Sequence, residues 1–237
     1  MDHAEYALMD TAEDRMWWYR ALHARLLDGL AAIGGRVLDA GCGTGGFLAV
    51  LRRCRPDLAG FGAEWDAAAA IRAGDKSGAA VVRASVNALP FANGGFDAAV
   101  SADVLCHAAV DPAAALGELK RVLRPGGRLI VNMPAYQWLL SAHDRRVHNV
   151  RRLTAPATAA LLRKAGFERV TARYWNGLPL PLMIIQRKIL ARGGAMSDVA
   201  PFSPWLDATL LGMTEFERRL CIRLPAGGSV LATAEKP

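Results

Sequence analysis

Arg36-Val37-Leu38-Asp39-Ala40-Gly41-Cys42-Gly43-Thr44-Gly45-Gly46 is the stretch whose reading decides the fold. A short apolar run ends in a carboxylate and breaks at once into glycines, the pattern of a buried parallel strand that turns tightly into a helix. Glycines at such a turn let the backbone approach a ligand closely and adopt conformations that a Cβ would forbid. Gly41, Gly43 and Gly46 also satisfy the GxGxxG fingerprint of dinucleotide-binding folds, so two ligand classes compete for the same turn.

Asp39 separates them. A dinucleotide site offers backbone N–H groups and a helix N-terminus to an anionic pyrophosphate, which a carboxylate at the end of the same strand would repel. A ligand that carries an ammonium and a sulfonium would be attracted. On these residues the chain resembles the class I S-adenosylmethionine (SAM) methyltransferases, whose first motif is similar to Val37-Leu38-Asp39-Ala40-Gly41-Cys42-Gly43-Thr44-Gly45. The resemblance makes Asp39, Gly41, Cys42 and Gly43 cofactor-binding candidates.

Outward from the turn, Phe47 to Arg53 continues as a helix that ends ahead of Pro56, because the residue before a proline resists helical geometry. Leu58 to Glu64 reads as the second strand, and Glu64 lies about 20 residues past the glycines, where a carboxylate can accept ribose hydroxyls. Trp65 follows and either covers an adenine face or packs beneath the next helix. Ala79 to Ala84 is the third strand and leads into Ser85-Val86-Asn87-Ala88-Leu89-Pro90-Phe91. In the resembling family this segment holds the adenine edge through a side chain, often Asp where Ser85 stands, and through the next backbone N–H, here Val86. Ser85, Val86 and Asn87 are therefore cofactor-side candidates, with Ser85 a weaker side-chain contact than the family's acid.

Phe96 to Ala102 is the fourth strand, with Ala102 at its cofactor-side end. Asp103-Val104-Leu105-Cys106-His107 follows at the carboxyl end, where open parallel sheets bind ligands. Asp111-Pro112 opens the next helix with a cap and a first-turn proline. Leu123-Arg124-Pro125-Gly126-Gly127, again a feature of the resembling family, turns into strand five, Arg128 to Met133. The resemblance, carried by four motifs in order over residues 36–133, implies a doubly wound, seven-stranded Rossmann-like α/β sheet, order 3-2-1-4-5-7-6, with the last strand antiparallel. The cofactor implied is S-adenosyl-L-methionine.

The flanking segments fall outside those motifs. Residues 13–30 read as one amphipathic helix stopped by Gly34-Gly35, with Leu22, Leu26, Leu27 and Leu30 at helical spacing. Residues 1–33 form an N-terminal helical cap in which Trp17, Trp18 and Tyr19 pack; in the resembling family a leading helix lies over the cofactor, and the resemblance would bring Tyr19 or Arg20 within its reach. Past strand five, Pro134 to Arg152 leaves the carboxyl-end face and can form one wall of an acceptor pocket. His143 and His107 are the candidate general bases, tuned near neutral pH, with Asp144 orienting an imidazolium. His143, Asp144 and His148 also suggest a metal, but a spacing of five does not stack two His on one helix face, and no metal site is assigned. Thr154-Ala155-Pro156 caps a helix closed by Gly166, and Phe167 to Trp175 is strand six.

Ser229 to Ala234 supplies the last strand, which leaves 53 residues, 176–228, where a short hairpin would ordinarily suffice. Within them Leu178 to Ile185 is apolar, Gln186 to Arg192 reads as a short basic helix, Gly193-Gly194 as a hinge, and Pro204 opens a helix to about Leu220. This helical insertion can close over a substrate as a lid, lie on an anionic bilayer as a peripheral contact, complete the core or form a dimer contact.

The 237 residues, 52% apolar and 22% charged, fit one globular domain over 1–237. Cys42, Cys54, Cys106 and Cys221 lack CxxC spacing, and the N-terminus lacks a signal peptide, so a reduced cytoplasmic setting is expected. The net charge is +7, and Ser141 to Arg173 alone carries seven Arg and one Lys against Asp144 and Glu168, a local balance of +6. The expected function is methyl transfer from SAM to a small or lipid-like acceptor, one bearing an anionic group being favoured by these bases. The Arg-rich stretch keeps a nucleic-acid methyltransferase as a rival, against which stands the absence of an Asn/Asp-Pro-Pro-aromatic element. A non-catalytic SAM-binding protein is the second rival.

Overall fold

A computed structural model describes residues 3–188, 202–220 and 224–237. Its seven strands form one sheet in the order β3-β2-β1-β4-β5-β7-β6. In chain order these are β1 (Gly35–Ala40), β2 (Leu58–Glu64), β3 (Ala80–Arg83), β4 (Phe96–Ala102), β5 (Leu123–Pro134), β6 (Glu168–Trp175) and β7 (Ser229–Glu235). Pairings are parallel except that β7 runs antiparallel to both β5 and β6. The sheet order and the antiparallel last strand are those expected from the sequence.

Burial explains why the central strands read as unbroken apolar runs. Leu38, Ala99, Leu129 and Val131 point into one core, while Val37, Ala98, Val100 and Ile130 point into the other. Alternate residues of a strand face opposite sides, so a sheet covered by helices on both faces needs apolar residues at every position. The first core takes α5 (Pro112–Val122) and α7 (Ala155–Lys164); the second takes α2 (Trp17–Gly29) and α3 (Gly46–Cys54). Asp111 caps α5 by accepting from Ala113 N and Ala114 N, and Thr154 caps α7 by accepting from Ala157 N, both as the sequence leads one to expect.

Two expectations are corrected. The N-terminal segment is two helices, α1 (His3–Ala12) and α2, because Glu13 turns out of the helical path and is buried against Thr44 and Lys76. In the insertion, α8 (Leu180–Lys188) starts inside the apolar run with Pro181 in its first turn, where a missing N–H costs nothing. The hinge expected at Gly193-Gly194 lies outside the described residues. The final helix, α9 (Pro204–Arg219), packs along α2. Glu217 of α9, itself buried, accepts from Asn176 N at 2.9 Å and Leu178 N at 2.5 Å. Arg25 of α2 donates to Thr214 O at 2.6 Å, and its guanidinium lies 4.5 Å from the Trp175 ring. Insertion and N-terminal cap are thereby pinned together over the second core. Among the described residues no helix is long and apolar enough to cross a membrane.

Candidate active site

The glycine turn between β1 and α3 is built as the sequence demands. Gly41, Gly43 and Gly45 have φ of +87°, +55° and +88°, and a Cβ on Gly45 would stand 2.7 Å from Ala73 Cα of α4 (Ala67–Ser77). Glycine is thus required for both conformation and close packing. Gly41 N and Cys42 N donate to Ala63 O of β2, which ties the turn to the end of the neighbouring strand. Cys42 is buried, and burial pushes its thiol well above the usual range, so it serves packing rather than nucleophilic chemistry.

Three carboxyl groups converge on this turn. Asp39 is 2% exposed and its side chain has no hydrogen-bond partner among the described residues. Burial first, then the neighbouring charges of Glu64 and Glu13, push its pKa up to about 8. Glu64 accepts from Gly43 N at 2.9 Å through Oε2, and from Tyr6 Oη and Asp66 N, both at 3.0 Å, through Oε1. Glu13 accepts from Thr44 Oγ1 at 2.7 Å and pairs with Lys76. A site that keeps a carboxyl group buried, unpartnered and repelled by its neighbours is suited to a cationic ligand.

The helix α1 lies across this turn. Besides Tyr6 on Glu64, Met9 faces Gly43, and Asp10 pairs with Arg72 and Lys76 of α4. Of the other cofactor-side candidates, Trp65 is 67% exposed at the rim. Ser85 Oγ accepts from Asn87 N at 3.2 Å, and Val86 is buried. Asn87 braces two loops, donating to Ala109 O at 3.2 Å and accepting from Asp111 N at 3.1 Å. Ala102 pairs with Asn132 at the end of β4.

Beyond the carboxyl ends of β4 and β5 lies a cavity of about 140 Å³. Trp17, Trp18 and Tyr19 of α2 line one side, Asp103 and Pro134 its floor, His143 and Asp144 of α6 (Ala142–Arg146) another, and Met183 and Arg187 of α8 a fourth. The aromatic triplet therefore both packs, Trp18 stacking on Trp175 at 6.1 Å, and faces the cavity. Arg20 is exposed and lies in a groove beside α9 instead.

The catalytic candidates separate. His143 lines the cavity. His107 does not line it: its ring donates to the Val147 carbonyl, and burial lowers its pKa to about 4, so it is neutral and a weak base at pH 7. Asp144 is committed to Arg152 at 3.3 Å, to Arg187 at 3.6 Å and to the capping box of α6 with Ser141. His148 is exposed with φ +59°, and among the described residues no cluster of His, Cys, Asp or Glu could hold a metal. The Arg-rich stretch is partly structural, Arg151 donating to the carbonyls of Leu105 and His107 and Arg152 to Ala135 O.

Sequence reasoning missed Asp103. It follows β4 with φ +54°, and its carboxylate accepts from Asn132 Nδ2 at 2.9 Å. Asn132 is fully buried and its oxygen accepts from Trp175 Nε1 at 2.9 Å, so an amide steadied by an indole fixes the acid's position. Burial raises the Asp103 pKa to about 6, against the lowering effects of Asn132 and Arg152. The available signal was its place one residue beyond a central strand, on the face where ligands bind.

Comparison with known proteins agrees with this geometry. Residues 38–131 match the family model described as a methyltransferase domain. A demethylmenaquinone methyltransferase of Thermus thermophilus is 41% identical over 101 residues, covering 40% of this chain and 46% of the relative. The alignments span from about a third to under half of the curated relatives' lengths. A SAM-dependent methyltransferase structure from Thermotoga maritima superposes with a TM-score of 0.64 at 22% identity, covering 99% of this chain and 95% of that one. Geranyl diphosphate C-methyltransferase from Streptomyces coelicolor gives 0.62 at 15% identity over 92% and 79% of the two chains. The fold is that of the class I Rossmann-like methyltransferases.

Proposed function

We propose that this chain, a methyltransferase by the family of its central residues and by its sheet, transfers a methyl group from S-adenosylmethionine to a small-molecule acceptor. The observation that carries the reading is Asp39, a buried carboxyl group without a partner among the described residues, beside a glycine turn and a second acid. Asp39 and Glu64 would hold the ligand's cationic and hydroxyl groups, and the backbone around Ser85 and Val86 its base. When bound, SAM supplies an electrophilic methyl group whose bond to sulfur breaks as the acceptor's lone pair takes the carbon. Much of the rate of such a displacement comes from positioning.

The acceptor side follows from the cavity. Asp103 takes the proton of a nucleophile that carries one, and Asn132 and Trp175 hold it in place. His143, on the facing wall, is the alternative base. Residues 176–228 act as a cap, with Asn176, Met183 and Arg187 facing the same space. The names of the Thermus relative and the Streptomyces neighbour, demethylmenaquinone and geranyl diphosphate methyltransferases, support an acceptor of small-molecule size.

Calorimetric titration with S-adenosylhomocysteine tests the cofactor reading. One-to-one binding, weakened by Asp39→Asn, is expected. Absence of binding, or equal affinity of the variant, overturns it. Incubation with methyl-labelled SAM and fractionated metabolites then asks which fraction gains the label.

A further inference from the structure

Asp103 and Asn132 are joined twice. The Asp103 N–H donates to Asn132 O at 3.0 Å, and Asn132 Nδ2 donates to Asp103 Oδ1 at 2.9 Å. The first bond holds the left-handed backbone that follows β4, and the second holds the carboxylate of a half-buried residue that lines the cavity. The two ends of a side-chain amide have nearly the same size, so only its hydrogen-bond partners decide which end faces which way. Turned over, Asn132 would present an oxygen to Asp103, an arrangement that suits a protonated acid and repels a carboxylate.

Trp175, the last residue of β6, removes this ambiguity. An indole N–H can only donate, and this one lies 2.9 Å from Asn132 Oδ1. Asn132 is 0% exposed and Trp175 is 5% exposed, so breaking the pair would strand a buried donor and a buried acceptor. The ring is itself held in place by α2: Trp18 stacks on it at 6.1 Å, and the Arg25 guanidinium lies 4.5 Å from its centroid. Arg25 is fixed in turn by α9, donating to Thr214 O at 2.6 Å and facing Glu217 at 4.0 Å. Hydrogen-bond donation therefore runs one way, from indole through amide to carboxylate.

We propose that Trp175 is a positioning residue whose indole N–H, acting through the Asn132 amide, keeps Asp103 in the form that accepts a proton. Asn132 occupies Oδ1, so an incoming proton goes to Oδ2, and the carboxylic acid so formed still accepts from the amide through Oδ1. Trp175 and Asn132 neither gain nor lose a proton. That the proton comes from a methyl acceptor rests on the methyltransferase reading; the relay itself does not. Burial pushes Asp103 up to about 6, the bond from Asn132 and the charge of Arg152 act downward, and Asp144 acts upward. His143, Arg187 and Tyr19 line the same cavity. Among these groups Asn132 is the one whose effect changes sign if it turns over, and Trp175 is what prevents it.

The test is an NMR titration of the full chain, carrying ¹³C at the aspartate carboxyls and ¹⁵N at the indoles, which needs no acceptor. In the wild type the Asp103 signal should titrate with a midpoint near pH 6, and the Trp175 indole signal should move with the same midpoint. Asp103→Asn should abolish that indole response. Trp175→Phe keeps a ring but removes the N–H, and should make Asp103 about 10-fold less acidic, moving its midpoint up by about one pH unit. Asn132→Ala should move it up at least as far, and adding Trp175→Phe to Asn132→Ala should move it no further, since the indole acts only through the amide. An indole signal that ignores the Asp103 titration, an unchanged midpoint in folded Trp175→Phe, or a full 10-fold effect of Trp175→Phe in the Asn132→Ala background would overturn the proposal. A tryptophan that serves packing alone would lower the melting temperature and leave the Asp103 midpoint in place. The wild-type indole response is read without altering Trp175, so failure of that variant to fold does not remove the test. The methyltransferase reading falls separately, through absent cofactor binding or full turnover by Asp103→Asn, and neither result moves these midpoints.

Discussion

The two ends of the proposed reaction path are built in opposite ways. At the cofactor end, most of the groups proposed to hold the ligand come from one continuous stretch, strand, carboxylate, glycine turn and the acid of the next strand, residues 36–66, with Ser85 and Val86 added for its base. At the acceptor end they come from many separated places, among them α2, the end of β4, β5, α6, the residue after β6 and α8. The cofactor end holds excess like charge, with three acids around one turn. The acceptor end balances its charge, Asp103 and Asp144 against Arg152 and Arg187. A continuous site can be kept by local backbone geometry, whereas a dispersed one depends on packing between elements and can be rebuilt for a new acceptor without touching the cofactor.

The sharpest break between the ends is expected at Asp103. Asp103→Asn keeps the bond to Asn132 within reach of an amide flip but removes the proton acceptor. Turnover of any labelled acceptor should fall by roughly 10²- to 10⁴-fold with S-adenosylhomocysteine affinity unchanged. The groups that face Asp103 are Asn132, Arg152, Asp144, His143, Arg187 and Tyr19. In the wild type the acidic limb of kcat/KM should bend near pH 6 and should vanish in Asp103→Asn. A limb that survives there and disappears in His143→Gln would transfer the role to the imidazole.

Next in size is the acceptor wall itself. Asp144 is 1% exposed between Arg152 and Arg187; burial alone would raise its pKa, but the pair with Arg152 holds it below the usual carboxylate range. Asp144→Ala would leave the buried Arg152 charge without its acid, costing about 3 kcal/mol or more of unfolding free energy. Affinity for S-adenosylhomocysteine in the protein that remains folded should be nearly unchanged. Parallel loss of both would mean that the two ends are one mechanical unit.

Asp39 should show the reverse pattern. Its pKa is raised from the ordinary range to about 8, so its contribution to stability is fully present below about pH 4 and is lost as pH rises through 8. Asp39→Asn, always neutral, should therefore make the ligand-free protein more stable at pH 8 while weakening SAM about 10- to 100-fold by removing a charge-assisted contact. In the wild type, SAM affinity should rise with pH, by up to about tenfold per unit between pH 6 and 8, because the cation binds the ionised acid. Calorimetry in two buffers of different ionisation enthalpy should show a proton released on binding. No proton release would mean that Asp39 does not meet the cation.

How much was legible divides along the same line. The strand boundaries at Leu58–Glu64 and Phe96–Ala102, the turn, Asp39 and Glu64 were readable because each is a local pattern: period, glycine, end-of-strand acid. Asp103 was written in the sequence beside His107, but choosing between them needed the neighbours Asn132 and Val147, which lie 29 and 40 residues away. Residue type favoured the imidazole; placement favoured the acid. The break at Glu13 was invisible for the same reason, since its partners Thr44 and Lys76 belong to other elements.

The smallest expected effect tests whether the cofactor end is as self-contained as its sequence suggests. Tyr6 of α1 donates to Glu64 Oε1 at 3.0 Å, and burial followed by the Glu64 charge raises its phenol pKa, so it stays a donor across the working range. An ionised carboxylate has about four acceptor sites. Tyr6, Gly43 N and Asp66 N use three of those on Glu64, leaving one where a ribose offers two hydroxyls. Tyr6→Phe frees that site while keeping the ring against the turn, so SAM affinity should rise by a factor of about 2 to 10. The gain should appear in the equilibrium constant and be absent in a Tyr6→Phe, Glu64→Gln double variant, since both act on one bond. A fall in affinity would instead make the phenol part of the binding site, with α1 folding over the ligand as a wall rather than competing with it. The cofactor end would then also be a composite of distant segments, and the contrast with the acceptor end would shrink to one of charge.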